Sequence, residues 1–209
     1  MKFKIMRLAV GSYQTNCYII FDEDKKAIIV DPGAQAKDIL NAVESEGLKV
    51  EKILLTHAHE DHIGALVEIK NALNVPVYMG EHEVSLLEEG LKNLNMLMNE
   101  KNEKFKVDHL VKDAEIIKFN DLEIKVIFTP GHTRGGVCYL IDNILFSGDT
   151  LFMGSIGRTD FPGGDYETIM DSLMNLMKLP NETIVLPGHG PETKVAFEKV
   201  NNPFIQTRL

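Results

Sequence analysis

The chain has 209 residues, of which 44% are hydrophobic and 25% are charged, a composition typical of a soluble globular protein. Its formal net charge of −9 excludes the broad basic face that a nucleic-acid-binding protein needs. No stretch approaches the roughly 20 apolar residues that span a bilayer, and Arg7 interrupts the apolar N-terminal residues, so no signal peptide is expected. We therefore expect one cytoplasmic domain over residues 1–209, with neither nucleic acid nor membrane as a partner; its oligomeric state stays open.

The predicted elements mix strands and helices along the whole chain. Apolar runs rich in β-branched residues predict strands over residues 2–10, 16–21, 27–30, 52–56, 75–79, 115–119, 122–128, 136–141, 143–147 and 183–187. Helical periodicity predicts a helix that begins near Ala36 and ends near Gly47, a glycine suited to a C-cap. Further helices are predicted over 63–73 and 81–97, and after Asp165 as an N-cap. Because strands come in adjacent pairs as well as alternating with helices, we predict a mixed α/β (α+β) fold with helices covering sheets.

The two cysteines, Cys17 and Cys138, are far apart and form no CxxC pair. Both lie within apolar strand-like runs. Buried free thiols in a reducing cytoplasm are therefore expected, rather than a disulfide or a catalytic thiol.

The densest cluster of chemically reactive side chains is the run THAHEDH at residues 56–62, which holds three of the seven histidines and an aspartate. Imidazole nitrogens and carboxylate oxygens are ligands for zinc, iron and manganese. At helical spacing His57, His59 and Asp61 would point in different directions, so the run is predicted to be a loop or tight turn folded around metal. The alternative is a polar loop that is rich in histidine without binding metal.

Three more candidate ligands follow short apolar runs that end in a glycine. They are His132 after VIFTPG, Asp149 after ILFSG and His189 after IVLPG, and His57 itself follows the run KILLT. Glycine and proline shape turns from which a polar side chain can project at the edge of a rigid sheet. Four strands are therefore predicted each to place a ligand at its C-terminal end.

This ligand pattern resembles that of the metallo-β-lactamase-fold hydrolases, and the resemblance covers nearly the whole chain, including VDPG at 30–33. It implies a four-layer αββα sandwich with metals at the sheet edges. SGDTLF at 147–152 and GRTDFPGGD at 157–165 are most similar to the glyoxalase II-like (hydroxyacylglutathione hydrolase-like) branch. Asp149 stands where the zinc β-lactamases have cysteine, and His59 stands where the flavodiiron relatives have glutamate.

The resemblance implies two divalent transition-metal ions, with zinc expected and iron or manganese as the alternatives. One ion would be held by His57, His59 and His132. The second would be held by Asp61, His62 and His189, and Asp149 would bridge both. Asp61 and Asp149 thereby become the candidate catalytic residues: they would support a metal-bridging hydroxide that attacks a small anionic thioester such as a hydroxyacylglutathione.

Other polar residues carry weaker expectations. Asp31 either accepts a hydrogen bond from a ligand histidine or shapes the turn before Pro-Gly. Arg158 either binds a substrate carboxylate or forms a structural salt bridge. Tyr166 either lines the substrate site or begins a helix. His82 and His109 fall outside the ligand pattern and are expected on the surface or at helix ends.

Two rival functions remain open. One is a persulfide dioxygenase of the same fold, which GRTDF at 157–161 also resembles; there a single iron would be held by His57, His132 and Asp149. The other is a metal-binding module without enzymatic activity, although structural metal sites seldom need seven ligands around two ions. The thiol carrier also stays open, because full-length glyoxalase II enzymes have an additional C-terminal helical region that binds glutathione.

Overall fold

The computed structural model describes residues 3–98 and 105–208. The chain divides into two compact units. Unit 1 comprises Met1–Met79 and Val84–Leu110, and unit 2 comprises Gly80–Glu83 and Val111–Leu209. The single domain predicted over residues 1–209 stays a prediction.

Unit 1 is built on a six-stranded sheet with strands in chain order. Its strands are β1 Phe3–Val10, β2 Thr15–Asp22, β3 Lys26–Val30, β4 Lys49–Leu54, β5 Val77–Gly80 and β6 His109–Val111. The last residues of β5 and β6, Gly80 and Val111, are the first residues of the two segments of unit 2. Strands β1 to β3 form antiparallel hairpins, and β3, β4 and β5 run parallel. Its helices are α1 Ala36–Ser45, α2 Glu60–Ile63, α3 Leu66–Leu73 and α4 Val84–Met98.

The central strands of unit 1 are apolar along their whole length rather than at alternate positions. Every residue of β2 except its last is buried, and β3 is buried after its first residue. Strands of this kind are covered on both faces. Helix α1 packs Ile39 and Val43 into the same core, and Gly47 beyond its end has φ +62°, as expected of a glycine that ends a helix.

Unit 2 contains a second six-stranded sheet, in the order β14-β13-β10-β9-β8-β7, and a separate two-stranded hairpin of β11 and β12. Its strands are β7 Ile116–Phe119, β8 Leu122–Phe128, β9 Val137–Ile141, β10 Ile144–Gly148, β11 Leu151–Phe152, β12 Ser155–Ile156, β13 Ile184–Pro187 and β14 Thr193–Lys194. Strands β7 to β10 are antiparallel neighbours, whereas β10 and β13 are parallel. Its helices are α5 Tyr166–Leu176, α6 Val195–Asn201 and α7 Pro203–Gln206.

All ten predicted strands are confirmed to within a few residues, apart from residue 2, which lies outside the described residues. The predicted N-cap Asp165 is also confirmed, since its carboxylate accepts a hydrogen bond from the Thr168 amide at 2.7 Å. Cys17 and Cys138 are buried, and neither forms a disulfide, as expected. Within the described residues, no helix has the length and apolar character needed to cross a membrane.

Three predictions about local structure were wrong in detail. The helix predicted over 63–73 is two helices, α2 and α3, and the run 56–62 is a loop only as far as His59, because Asp61 and His62 lie on α2. The break has a specific cause. The Ala65 amide donates to the Pro32 carbonyl at 3.0 Å, so it does not continue the helical hydrogen bonding of α2. The helix predicted over 81–97 begins as a 3₁₀ turn, Glu81–Glu83, before α4.

Candidate metal centre

In unit 1 the predicted ligands lie beyond the C-terminal end of β4. His57 and His62 are fully buried, whereas His59 and Asp61 are partly exposed. The ring centroid of His57 lies 4.8 Å from that of His59 and 4.1 Å from that of His62. The structure therefore brings the imidazoles of the predicted cluster together, as metal binding requires.

Asp31 organises this cluster from the end of the neighbouring parallel strand, β3. Its buried carboxylate accepts hydrogen bonds from the Thr56 amide at 2.8 Å, from the Thr56 hydroxyl at 2.6 Å and from His62 Nδ1 at 3.0 Å. Asp31, His57 and His62 each offer a ligand atom within 4.8 Å of one another. Because Asp31 already contacts Nδ1 of His62, we assign it the role of orienting that ring rather than of binding metal.

The Thr56 hydroxyl fixes a second imidazole. Its oxygen lies 3.1 Å from His57 Nδ1, and its single proton is given to Asp31. His57 Nδ1 must therefore donate its own proton to Thr56. In both His57 and His62 the proton is on Nδ1, which leaves the lone pair on Nε2 to face a metal.

Asp61 is oriented by a residue that sequence reasoning missed. The hydroxyl of Thr15, buried at the start of β2, donates to Asp61 Oδ2 at 3.0 Å. The same oxygen lies 3.6 Å from His62 Nε2. Two atoms bound to one zinc at about 2.1 Å lie about 3.4 Å apart at a tetrahedral angle. The separation of Asp61 from His62 therefore suits two ligands of a common ion.

The VDPG segment is packed directly against α2, and only glycine fits there. A Cβ atom on Gly33 would lie 1.9 Å from the carbonyl oxygen of Asp61, and one on Gly64 would lie 2.3 Å from the Gly33 oxygen. This close approach holds the Asp31 loop and the His62 helix at a fixed separation, which the hydrogen bond between their side chains needs.

In unit 2 the three predicted ligands follow the ends of three strands: His132 follows β8, Asp149 follows β10 and His189 follows β13. The Gly188 amide donates to the Gly148 carbonyl at 2.8 Å, which continues the β10–β13 pairing up to the ligands. Asp149 Oδ2 lies 3.6 Å from His132 Nε2 and 3.5 Å from His189 Nε2. These distances are too long for hydrogen bonds and close to the spacing of ligands on a shared metal.

The segment after the β11–β12 hairpin supports two of these ligands. His132 Nδ1 lies 2.8 Å from the carbonyl oxygen of Arg158, and because a carbonyl can only accept, His132 also has its proton on Nδ1. A Cβ on Gly157 would lie 1.7 Å from the Asp149 carbonyl oxygen and 3.2 Å from His132 Cγ. Nε2 nitrogens and carboxylates oriented in this way fit a divalent transition metal.

The sequence left two roles open for Arg158, substrate binding and a structural salt bridge, and in the structure its side chain forms a salt bridge. Its Nε and Nη2 donate to the two oxygens of Asp160 at 2.8 and 2.7 Å, and its guanidinium lies 3.5 Å from the ring centroid of Phe161. The guanidinium holds the pKa of the Asp160 carboxyl at about 2. Both charged groups are largely exposed, so the pair is accessible from solvent, and substrate binding by Arg158 stays a prediction.

Three other residues occupy the positions that the sequence suggests. Tyr166 is the first residue of α5 and is 44% exposed, so its part in substrate binding stays a prediction. His82 is exposed beside Glu81, and His109 stacks on Tyr78 with ring centroids 4.3 Å apart. Neither histidine belongs to a ligand group among the residues that the structure describes.

The sequence profile of the metallo-β-lactamase superfamily matches residues 10–189, a stretch that contains all seven predicted ligands. The chain belongs to the metallo-β-lactamase superfamily. The probable metallo-hydrolase YqgX of Bacillus subtilis is 39% identical over 97% of this chain and 97% of its own length. The hydroxyacylglutathione hydrolase GloC of Haemophilus influenzae is 34% identical over 96% of this chain and 97% of its own length.

Solved structures agree with this membership. The B3 metallo-β-lactamase BLEG-1 is 37% identical with a TM-score of 0.88, over 97% of this chain and 99% of that one. TTHA1623 in a di-iron-bound form is 34% identical with a TM-score of 0.83, over 95% and 99%. ETHE1 from Myxococcus xanthus is 29% identical with a TM-score of 0.82, over 100% and 86%. The predicted metallo-β-lactamase fold is thereby confirmed, and the predicted metal-dependent hydrolase is confirmed at the level of the superfamily.

Proposed function

We propose that the protein is a dinuclear metal-dependent hydrolase of thioesters, with a hydroxyacylglutathione as the type of substrate. The observation that carries this proposal is the end-to-end similarity to the Haemophilus hydroxyacylglutathione hydrolase, which is matched over 97% of its own length. Nearly every part of that relative therefore has a counterpart in this chain. The burial of Cys17 and Cys138 as thiols outside any disulfide supports the cytoplasm as the compartment.

The proposed ligands follow the superfamily pattern: His57, His59 and His132 for one ion, Asp61, His62 and His189 for the other, and Asp149 for both. Zinc is the proposed metal, with iron and manganese compatible with the same nitrogen and oxygen donors. Two such ions, when bound, supply a nucleophile at neutral pH and polarise a substrate carbonyl. Asp61 and Asp149 are the carboxylates whose negative charges would offset part of the charge of the ions.

The rest of the machinery in this proposal consists of groups that orient ligands or bind substrate. Asp31 and the Arg158 carbonyl accept the Nδ1 protons of His62 and His132, so that the Nε2 atoms of these rings would hold the metals. The Arg158 guanidinium is proposed to bind a substrate carboxylate by exchanging it for Asp160, since the guanidinium offers the same two-pronged geometry to either partner. Tyr166 is proposed as a further contact to the substrate.

Metal analysis combined with kinetics of Asp61→Ala tests the dinuclear mechanism. We expect close to two transition-metal ions in the parent protein, and a fall toward one in the variant. Thioester hydrolysis should fall by about 10²–10⁴-fold, the usual loss when the groups that activate a proton are removed. Glu60→Ala is the matched control, because Glu60 is the exposed neighbouring carboxylate on the same helix. A folded Asp61→Ala protein that hydrolyses thioesters at the parental rate would contradict the mechanism.

A persulfide dioxygenase is the second candidate, favoured by the GRTDF string at 157–161 and by the likeness to ETHE1. Its single iron would rest on His57, His132 and Asp149, so Asp61→Ala should retain one iron and consume oxygen with a persulfide at nearly the parental rate. A β-lactam belongs in the same assay because of the likeness to BLEG-1. A parent protein that binds metal yet converts none of the three substrates would instead indicate a binding module.

A further inference from the structure

The β11–β12 hairpin, residues 151–156, is inserted between two segments that support metal ligands. It follows Asp149 after a single residue, and its other end leads into Gly157 and Arg158. Gly157 packs against Asp149, and the carbonyl of Arg158 binds His132. Leu151 is fully buried in the core with Val195 and Ile205. Because side chains alternate along a strand, Phe152 points to the opposite face, where its ring centroid lies 6.2 Å from that of His189.

The tip of this hairpin is held by a buried carboxylate, Glu198 of α6. Glu198 is 0% exposed and accepts hydrogen bonds from the Gly154 amide at 3.2 and 3.0 Å, from the Thr193 hydroxyl at 2.6 Å and from Asn202 Nδ2 at 2.8 Å. Asn202 also donates to the carbonyl of Ser155 at 3.1 Å. A buried charge is costly unless several donors satisfy it, and these donors come from the turn of the hairpin, from β14 and from the residue that follows α6.

Glu198 therefore connects the hairpin with the strand that carries His189. Thr193 begins β14, which pairs with β13, and β13 leads through Gly188 into His189. One oxygen of Glu198 accepts from both Thr193 and Gly154. The carboxylate thereby fixes the distance between the segment that bears Phe152 and the segment that bears His189.

We propose that Glu198 is a positioning residue that holds the β11–β12 hairpin, and that Phe152, held in this way beside His189, is a specificity-determining residue that contacts the acyl group of the substrate. The part that concerns the acyl group rests on the proposed thioester hydrolase. The part that concerns the hairpin does not depend on it. An aromatic ring beside a histidine that would bind metal offers the acyl group an apolar contact and restricts its size.

A single introduced tryptophan reports on the hairpin without any substrate. The chain contains no tryptophan, so all tryptophan fluorescence of the Phe152→Trp variant comes from residue 152. In that background we expect Glu198→Gln to shift the emission to longer wavelength, because a released hairpin exposes the ring to water. Glu192→Gln removes the same charge at an exposed position nearby and should leave the emission unchanged. Unchanged emission in a folded Glu198→Gln protein would overturn the positioning role.

Hydrogen exchange gives an independent reading of the same role. Loss of the Glu198 charge should speed exchange of the Gly154 amide by about tenfold or more, because that amide donates to the carboxylate. Thr193→Val, a change of nearly equal shape that removes one donor, is the second variant should Glu198→Gln fail to fold. It should produce a smaller acceleration, and parental exchange at Gly154 in Thr193→Val would count against the proposal.

A series of thioesters of one thiol, with acyl groups of increasing size, tests the role of Phe152. In Phe152→Ala the ratio of kcat/KM for the largest to that for the smallest acyl group should rise by about tenfold, at the low end of the discrimination that hydrophobic pockets achieve. Glu198→Gln should move the ratio in the same direction with metal content unchanged. An unchanged ratio would refute the role of Phe152. If the parent hydrolyses no thioester the proposed function is wrong, while emission and exchange still decide whether Glu198 holds the hairpin.

Discussion

Asp31→Asn is the sharpest test of how the metal ligands are oriented. Asp31 has φ +49°, a left-handed conformation that asparagine tolerates as well as aspartate, so the backbone should be unaffected. The carboxylate uses one oxygen for the Thr56 amide and the other for the Thr56 hydroxyl and His62 Nδ1. Asparagine must place its NH₂ group at one of these positions, and each of them is occupied by a donor.

The amide has two possible orientations, and both have a cost. If its NH₂ faces the Thr56 amide, two donors meet and the buried N–H is left unsatisfied, at about 1–3 kcal/mol. If it faces His62, that ring must accept at Nδ1 and move its proton to Nε2, the atom that would bind metal. Loss of such an orienting partner usually weakens metal affinity by about 10–100-fold, which corresponds to about 1.4–2.8 kcal/mol.

Competition with a chromogenic chelator measures this loss for each ion. We expect the weaker-bound ion of the variant to dissociate at about 10–100-fold lower chelator concentration than in the parent. Asp24→Asn, at an exposed position in the β2–β3 turn, provides the control for the loss of one negative charge. Metal affinity within twofold of the parent, in a folded Asp31→Asn protein, would refute the assignment of Asp31 as the group that orients His62.

Three further predictions follow from unit 2. Gly157→Ala should lower the free energy of unfolding by about 1–3 kcal/mol and reduce metal content, because its Cβ would lie 1.7 Å from the Asp149 carbonyl oxygen. Gly47→Ala is the control: it has open space around it and should change only the free energy of unfolding. Arg158→Ala should raise KM for an anionic thioester severalfold at constant metal content, and Asp160→Asn should lower it by releasing the guanidinium; unaltered KM in both variants would assign Arg158 to structure. NMR titration should find the Asp160 pKa at about 2, below its ordinary value of 3.8. The stabilisation from this ion pair is then complete above pH 4 and is lost as the pH falls toward 2. Arg158→Ala should return the Asp160 pKa to near 3.8.

The ligands themselves could be predicted because they follow the strongest signals in the sequence. His132, Asp149 and His189 each come after an apolar run and a glycine, and the structure places each one within four residues of a strand end. The groups that orient them could not be predicted in the same way. Thr15 is separated from Asp61 by 46 residues, and the Arg158 group that binds His132 is a backbone carbonyl, which no side-chain pattern reveals.

The hairpin and its anchor escaped prediction for a related reason. Strands β11, β12 and β14 have two residues each, too few for an alternating pattern to show. Glu198 lies in a seven-residue helix whose sequence, VAFEKVN, resembles a solvated surface helix. Its burial depends on donors from Gly154 and Asn202, which come together only in the folded chain.

The single proton of the Thr56 hydroxyl has a consequence for how the ions load. Because this proton is donated to Asp31, the Thr56 oxygen can only accept from His57, while the same carboxylate accepts from His62 directly. In the proposed ligand arrangement these two histidines serve different ions, so one carboxylate sets the proton positions of ligands to both. Occupancy of the two ions should then be cooperative in the parent protein. In Thr56→Val, which breaks the relay but keeps the Asp31–His62 contact, the two ions should bind more nearly independently.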